Sequence, residues 1–287
     1  VGRATTHDPR QSRRLARWST PGPLTPFQQQ LLADLAPSDD RYLAGGAALH
    51  FSPNSIRYSD DLDFFHDSVA RVAHAFATDR ERLKLLGYQL EVELSLLGFV
   101  RTIVSKGDDA TRVDWAHHSA WRFMPLVRDP LGGWLLHPVD LAVNKVLALA
   151  GRDEPRDFVD TLYVHREILP LAGLCWAAAG KDPGLTPFGL LELLKRRGRY
   201  HPADFERLHL AVPFDLLAGK DQWLSALDAA DAFVRSRPPE ELGCLYYHPS
   251  AQRFVLPDPA SSLDGQGIVP HFGSPGGIVP QLSPSRE

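Results

Sequence analysis

The spacing of apolar residues changes character along the chain, and the changes mark out its parts. Phe27, Leu31, Leu32 and Leu35 recur at helical intervals behind Thr25, a good cap, and Pro26 at the first helical position, so a helix is expected there, ended by Pro37. Tyr42-Leu43-Ala44 reads as a short strand running into Gly45-Gly46, after which Ala47-Ala48-Leu49 begins a short helix before the turn at Ser52-Pro53-Asn54. A strand with apolar Leu62, Phe64 and Phe65 follows, then a helix over 69–86 that Gly87 stops. The period next shifts to two. Residues 88–96, 99–105 and 111–115 predict an antiparallel meander turned at Gly98 and at Lys106-Gly107-Asp108-Asp109. From Pro138 the helical period returns, over 138–150, 157–169, 187–195, 202–210 and 223–236. A last strand is expected within 252–256, and the Pro-, Gly- and Ser-rich remainder reads as a mobile tail. The order predicts an α+β protein in which a mixed sheet with flanking helices precedes a mostly helical domain. The expected divisions are a basic N-terminal arm at 1–23, a core at 24–137, a helical domain at 138–257 and a flexible tail at 258–287.

Within the strand after the glycines, Asp61 and Asp63 are two residues apart, so they share one face while Leu62 and Phe64 turn to the other. Two crowded carboxylates repel, and one takes up a proton unless a cation sits between them; a divalent ion, magnesium first, is the natural partner. The Gly45-Gly46 turn lets backbone amides approach a ligand without a Cβ in the way, and phosphate is the obvious guest. In nucleotidyl transfer such carboxylates hold metal ions that bridge the phosphates and neutralise the leaving pyrophosphate. A third ligand is offered by Asp114 in Arg112-Val113-Asp114-Trp115, with a solvated aspartate on an exposed strand as the alternative. Lys145 stands in an otherwise apolar helix: burial would demand a partner, which a triphosphate would supply, and the alternative is a lysine on the solvent side beside Asn144 and Asp140.

These motifs together resemble the nucleotidyltransferase superfamily that shares its catalytic core with DNA polymerase beta, and more closely its AbiEii/AbiGii toxin branch. The resemblance rests on Gly45-Gly46, on Arg57-Tyr58-Ser59-Asp60-Asp61-Leu62-Asp63, on the Lys145 helix and on Arg156-Asp157-Phe158-Val159-Asp160, in the family order over residues 41–165. It implies a polymerase-beta-like core and transfer of a nucleoside monophosphate from an NTP to an acceptor with release of pyrophosphate. The acceptor implied is the 3′ end of tRNA. The metal implied is Mg2+ or Mn2+, held by Asp61, Asp63 and Asp114. Catalysis is implied for Asp61, Asp63, Lys145 and Asp160, and nucleotide binding for Gly45, Gly46, Arg57, Ser59, Lys145 and Arg156. Arg156 and Asp157 are weaker carry-overs, with stabilisation of a helix start as the alternative for Asp157. Asp60 is an added acid without a family role. A toxin of this kind further implies a cognate antitoxin as partner. Transfer to a protein or to a small molecule such as an aminoglycoside is the alternative within enzymes, and a catalytically silent antitoxin-binding module the alternative outside them.

Charge and composition narrow the partners. With 31 Lys and Arg against 35 Asp and Glu, a formal net charge of -4 excludes a uniformly basic nucleic-acid binder, so any RNA contact must be a local patch. Lys195, Arg196, Arg197 and Arg199, followed by Tyr200, offer cations for a phosphate backbone and an aromatic for stacking, against the alternative of a solvated helix end. His117-His118 lacks the spacing of a metal site and reads as surface or packing. Cys175 and Cys244, far apart, indicate neither a disulfide framework nor zinc. The apolar stretch 168–180 carries Pro170 and is too short to span a bilayer, and the polar N-terminus is unlike a signal sequence. A soluble protein of the cytoplasm, without membrane contact, is expected.

Overall fold

The computed structural model describes residues 24–36, 38, 41–51, 55–129 and 131–281; the Arg-rich arm expected at 1–23 lies outside them. The chain forms two compact units. The first contains the described residues up to His118, with Val127–Leu136 and His209–Val212; the second contains Ser119–Leu126, His137–Leu208 and the residues from Pro213 onward.

The first unit begins with α1 (Pro26–Leu35), whose start is fixed reciprocally: the Gln28 N–H donates to Thr25 Oγ1 at 3.1 Å and the Thr25 N–H to Gln28 Oε1 at 3.0 Å. There follow β1 (Tyr42–Ala44), α2 (Gly45–Leu49), β2 (Asp61–His66), α3 (Val69–Leu85), β3 (Gln89–Leu96), β4 (Phe99–Lys106) and β5 (Asp109–His117). After β6 (Trp121–Arg122), which belongs to the second unit, come β7 (Val127–Arg128) and β8 (Trp134–Leu135). Seven of these strands make one mixed sheet in the order β3-β4-β5-β2-β1-β8-β7. The meander β3-β4-β5 is antiparallel; β2 then lies parallel to β5 and antiparallel to β1.

One face of this sheet buries Leu62, Phe64, Val113 and Trp115. Phe76 of α3 meets the Trp115 ring edge-on at 5.2 Å between centroids. The indole N–H of Trp115 donates to Asp79 at 2.8 Å, and the Arg41 guanidinium closes on the same carboxylate at 2.6 Å. Burial raises the Asp79 carboxyl above the usual carboxylate range, while Arg41 and Trp115 pull it back.

The second unit holds α4 (Pro138–Arg152), α5 (Pro155–Glu167), α6 (Leu171–Lys181), α7 (Pro187–Leu194), α8 (Pro202–Phe205) and α9 (Leu216–Ser236). It also holds β9 (Leu245–His248), paired on one side with β10 (Arg253–Phe254) and on the other with β11 (Val269–His271), and β12 (Ser274–Pro275), paired with β6. Helix α6 gives no period in the sequence because Leu171 through Ala178 are all buried, so no polar face marks it. The helix expected to reach residue 210 stops at Phe205, since the chain beyond becomes extended: the Tyr58 N–H donates to the His209 carbonyl and the Ala211 N–H to that of Ile56, both at 2.8 Å. Helix α9 starts at Leu216, ahead of the expected 223, because Asp215 caps it by accepting the Leu217 and Ala218 N–H groups at 3.0 Å each.

The expectation of a mobile tail from 258 is corrected for the described residues. Ile268 and His271 are buried, the His271 Nε2–H donates to the Phe123 carbonyl at 2.8 Å, and β11 and β12 are paired strands. A few well-placed large side chains hold a segment whose composition looks unstructured. Among the described residues no helix is long and apolar enough to cross a membrane.

Candidate active site

In β2 the alternation has its expected consequence: Leu62, Phe64 and His66 are buried, while Asp61, Asp63 and Phe65 are half-buried on the other face. The register then fixes the neighbours. Asp63 lies opposite Asp114 of β5 on one side and Ala44 of β1 on the other, and Asp61 lies opposite Arg112. Gly45, the residue after Ala44, has φ +63°, and a Cβ there would stand 1.9 Å from Asp63 Oδ2. Only glycine combines that backbone with that approach. A Cβ on Gly46 would stand 2.8 Å from an Arg57 guanidinium nitrogen and 2.9 Å from Ser59 Oγ. The double glycine thus seats three predicted site residues, Asp63, Arg57 and Ser59, beyond any role toward a phosphate.

The segment leading into β2 is held firmly. Ser59 Oγ donates to the Asp61 carbonyl at 2.9 Å and lies 3.2 Å from the Asp61 carboxylate. The buried Arg57 donates to the Tyr58 carbonyl at 2.9 Å, and Gln28 Nε2 donates to the Ser59 carbonyl at 2.8 Å. Asp60, the added acid, is exposed and meets His209 Nδ1 at 2.6 Å.

Asp114 is not the solvated aspartate of the alternative reading: it is buried, and Arg101 of β4 grips it with a fork, Nε to Oδ1 at 2.9 Å and Nη2 to Oδ2 at 2.7 Å. The same pairing raises the Arg101 pKa further. Sequence reasoning missed Arg101, although a signal existed. A two-residue turn at Gly107-Asp108 closes on the Lys106–Asp109 pair, and counting five residues back along each strand brings Arg101 opposite Asp114.

The second unit gathers the remaining predicted residues. Lys145 of α4 is buried, not on a solvent side, and its ammonium pairs with Asp160 at 2.7 Å and stands 3.6 Å from Asp157, both on α5 and both fully buried. Arg152, also unflagged by the sequence, forks onto Asp157 at 2.5 and 2.9 Å. Thr161 Oγ1 donates to the Asp157 carbonyl at 2.6 Å. Asp157 sits in the first turn of α5, but these two cations define its surroundings more than the helix start does. Arg156 precedes it on the same helix and is half-buried.

The basic run divides. Lys195 bonds Glu192 at 2.8 Å and Asp231 at 3.3 Å, and Arg197 lies 3.4 Å from Asp153 and donates to the Ala150 carbonyl. Arg196 and Arg199 are exposed. Tyr200 does not offer a ring for stacking: it is buried, its hydroxyl donates to Asp153 at 2.6 Å, and its ring packs on Phe158 and Phe205. His118 stacks on Phe65 at 5.1 Å between centroids.

Among the described residues no group of three His, Cys, Asp or Glu side chains is arranged to hold a metal ion, in keeping with Asp114 being given to Arg101. Asp61 and Asp63 nonetheless fit a divalent cation: two carboxylates on one strand face, with the Asp63 carboxylate seated where a Cβ on Gly45 would stand. A cavity of about 260 Å3 in the second unit, lined by His165, Ala172, Ala226, Phe233, Leu256 and Pro257, contains none of these residues.

No family model and no curated protein matches the chain. Among solved structures it is similar to JHP933 from Helicobacter pylori, at 16% identity and a TM-score of 0.45 over 81% of this chain and 95% of that one. It is likewise similar to MenT4, a nucleotidyltransferase toxin from Mycobacterium tuberculosis, at 15% identity and a TM-score of 0.44 over 75% of this chain and 83% of that one.

Proposed function

We propose that the protein is a metal-dependent nucleotidyltransferase toxin, moving a nucleoside monophosphate from an NTP to a hydroxyl acceptor and releasing pyrophosphate. The observation that carries this reading is the meeting of Gly45 with Asp63 beside Asp61: a backbone turn brought against two carboxylates that share a strand face. Asp61 and Asp63 are the residues that would hold Mg2+ or Mn2+. When bound, the cation neutralises charge on the triphosphate and on the departing pyrophosphate. Ser59 and Arg57, seated against Gly46, position the approach to the carboxylates, and Arg57 and Arg156 supply guanidinium donors for phosphate oxygens.

Lys145 and Asp160 are the second set of groups assigned to the reaction, the lysine to the nucleotide phosphates and the aspartate to holding the ammonium at 2.7 Å. A buried lysine paired with a carboxylate suits a role toward an anion better than one at a solvated helix face. The acceptor assigned is the 3′ end of tRNA, with the exposed Arg196 and Arg199 as the backbone contacts. A cognate antitoxin is the expected partner, and the cytoplasm the expected compartment.

The test is incubation of the full chain with magnesium, labelled NTPs and separate RNA, protein and aminoglycoside acceptors. RNA is expected to take the label, and Asp61→Ala or Lys145→Ala to abolish it. Full labelling by both variants would refute the mechanism, and label in the protein or drug fraction would reassign the acceptor.

A further inference from the structure

We propose that Arg101 takes the place of a second metal ion at the carboxylate face, so that the site holds one divalent cation, on Asp61 and Asp63, and Asp114 is not a ligand. This rests on the reading of that face as a metal site. Two-metal sites hold their ions about 3.5–4 Å apart, and Asp114, opposite Asp63 on the adjoining strand, is the further carboxylate placed to help hold a second ion. Each of its oxygens already accepts from a guanidinium. Nε holds Oδ1 at 2.9 Å and Nη2 holds Oδ2 at 2.7 Å, a planar fork that matches a carboxylate and stays charged at any working pH.

The fork is not a chance surface contact. Arg101 and Asp114 are directly opposed in an antiparallel ladder, Asp114 is buried, and the guanidinium lies 5.3 Å from the centre of the Phe99 ring. A second cation at Asp114 would face the guanidinium's positive charge at contact range, on a carboxylate whose charge that guanidinium already balances. Arg101 therefore balances the Asp114 carboxylate in fixed form, as a second ion would in exchangeable form.

Binding of Mn2+ to the full chain, counted by electron paramagnetic resonance titration, tests this. Wild type is expected to bind one Mn2+ per chain, Arg101→Gln one more, and Arg101→Gln combined with Asp114→Asn to return to the wild-type number. Arg101→Lys, which keeps the charge, should also keep that number. An unchanged count in Arg101→Gln, or an added ion that survives Asp114→Asn, would overturn the proposal. Asp114→Asn alone reports even if Arg101→Gln fails to fold: an unchanged count is expected, and loss of a bound Mn2+ would overturn the proposal. Asp61→Asn separates the two levels. Retention of every Mn2+ in that variant would overturn the metal reading of the Asp61–Asp63 pair itself, independently of what Arg101 does.

Discussion

The two charged clusters of this molecule use the same residue types to opposite ends. In the first unit Asp61 and Asp63 stand half-buried side by side on an open strand face, and their proximity makes a cation welcome there. In the second unit Asp157 and Asp160 are fully buried, and Lys145 and Arg152 are already fitted to them at 2.5–2.9 Å for the shortest contacts. The first cluster sets two carboxylates side by side on a half-buried face. The second matches opposite charges and binds α4 to α5. Asp114 shows how little separates the two arrangements: one arginine on the next strand converts a potential ligand into a closed pair.

The contrast predicts different consequences for similar substitutions. The largest effect is expected from Asp63→Ala: NTP-dependent labelling should fall by about three orders of magnitude or more, equivalent to about 4 kcal/mol of barrier, while the protein stays folded in thermal unfolding. An unfolded Asp63→Ala protein would erase the distinction between the clusters. Next in size is Asp160→Ala, which leaves a buried ammonium with Asp157 at 3.6 Å as a more distant partner. Urea denaturation should show a loss of about 3–5 kcal/mol. Replacing both partners, Lys145→Met with Asp160→Leu, should recover most of that stability without recovering activity; recovery of neither would mean the pair is more than an ion pair within an apolar layer.

Gly45→Ala comes third. Its φ of +63° is unfavourable for alanine and the new Cβ would overlap Asp63, so a cost of about 1–3 kcal/mol is expected together with loss of labelling. Gly107 has nearly the same φ, +64°, with nothing within 4 Å of the Cβ position. Gly107→Ala should therefore show the backbone cost alone, about 1 kcal/mol, and full activity. Equal effects at the two glycines would show that the contact with Asp63 contributes nothing.

The smallest effect concerns pH. Burial lowers His137 to about 4, and its Nδ1 must stay unprotonated to accept the Val139 N–H at the start of α4. The folded pKa lies below the unfolded value of 6.5, so the unfolded chain binds the extra proton in the window between them, and stability falls as pH drops through it. From pH 7 to 5 the full shift corresponds to about 2 kcal/mol, reduced to about 1 by the partial exposure of the ring. His165 and His271, lowered by burial as well, act in the same direction, and all three lie in the second unit. His137→Asn should flatten the dependence of urea midpoints on pH, and an unaltered slope would remove His137 as its source.

Much of the first unit was legible because its elements have one wet face. The helix behind Thr25, strand β4 of the meander and the carboxylates on one side of β2 each follow from alternation between core and solvent. What could not be read has a common cause. Helix α6 is buried all round, so it has no period. Strands β6, β7, β8 and β12 span two residues each, too few to alternate, and are set by distant pairing. The sequence posed the choice for Lys145 correctly, buried with a partner or solvated, but only the packing of α5 on α4 names Asp160 as a partner. For Asp114 the solvated reading fails, and its partner Arg101 sits on a strand whose register has to be counted from its turn.

The chain passes between the two units at 118–119, 126–127, 136–137, 208–209 and 212–213. His209–Val212, arriving long after β2 in the sequence, backs the approach to the aspartate strand, through the bonds from Tyr58 to His209 and from Ala211 to Ile56. A nascent chain released only as far as residue 137 therefore holds every carboxylate of the first unit but lacks the segment that braces them. Synthesis order thus becomes a form of timing: the segment ahead of β2 gains these partners only after Ala211 has emerged, when α4 and α5, with Lys145 and Asp160, have already been made.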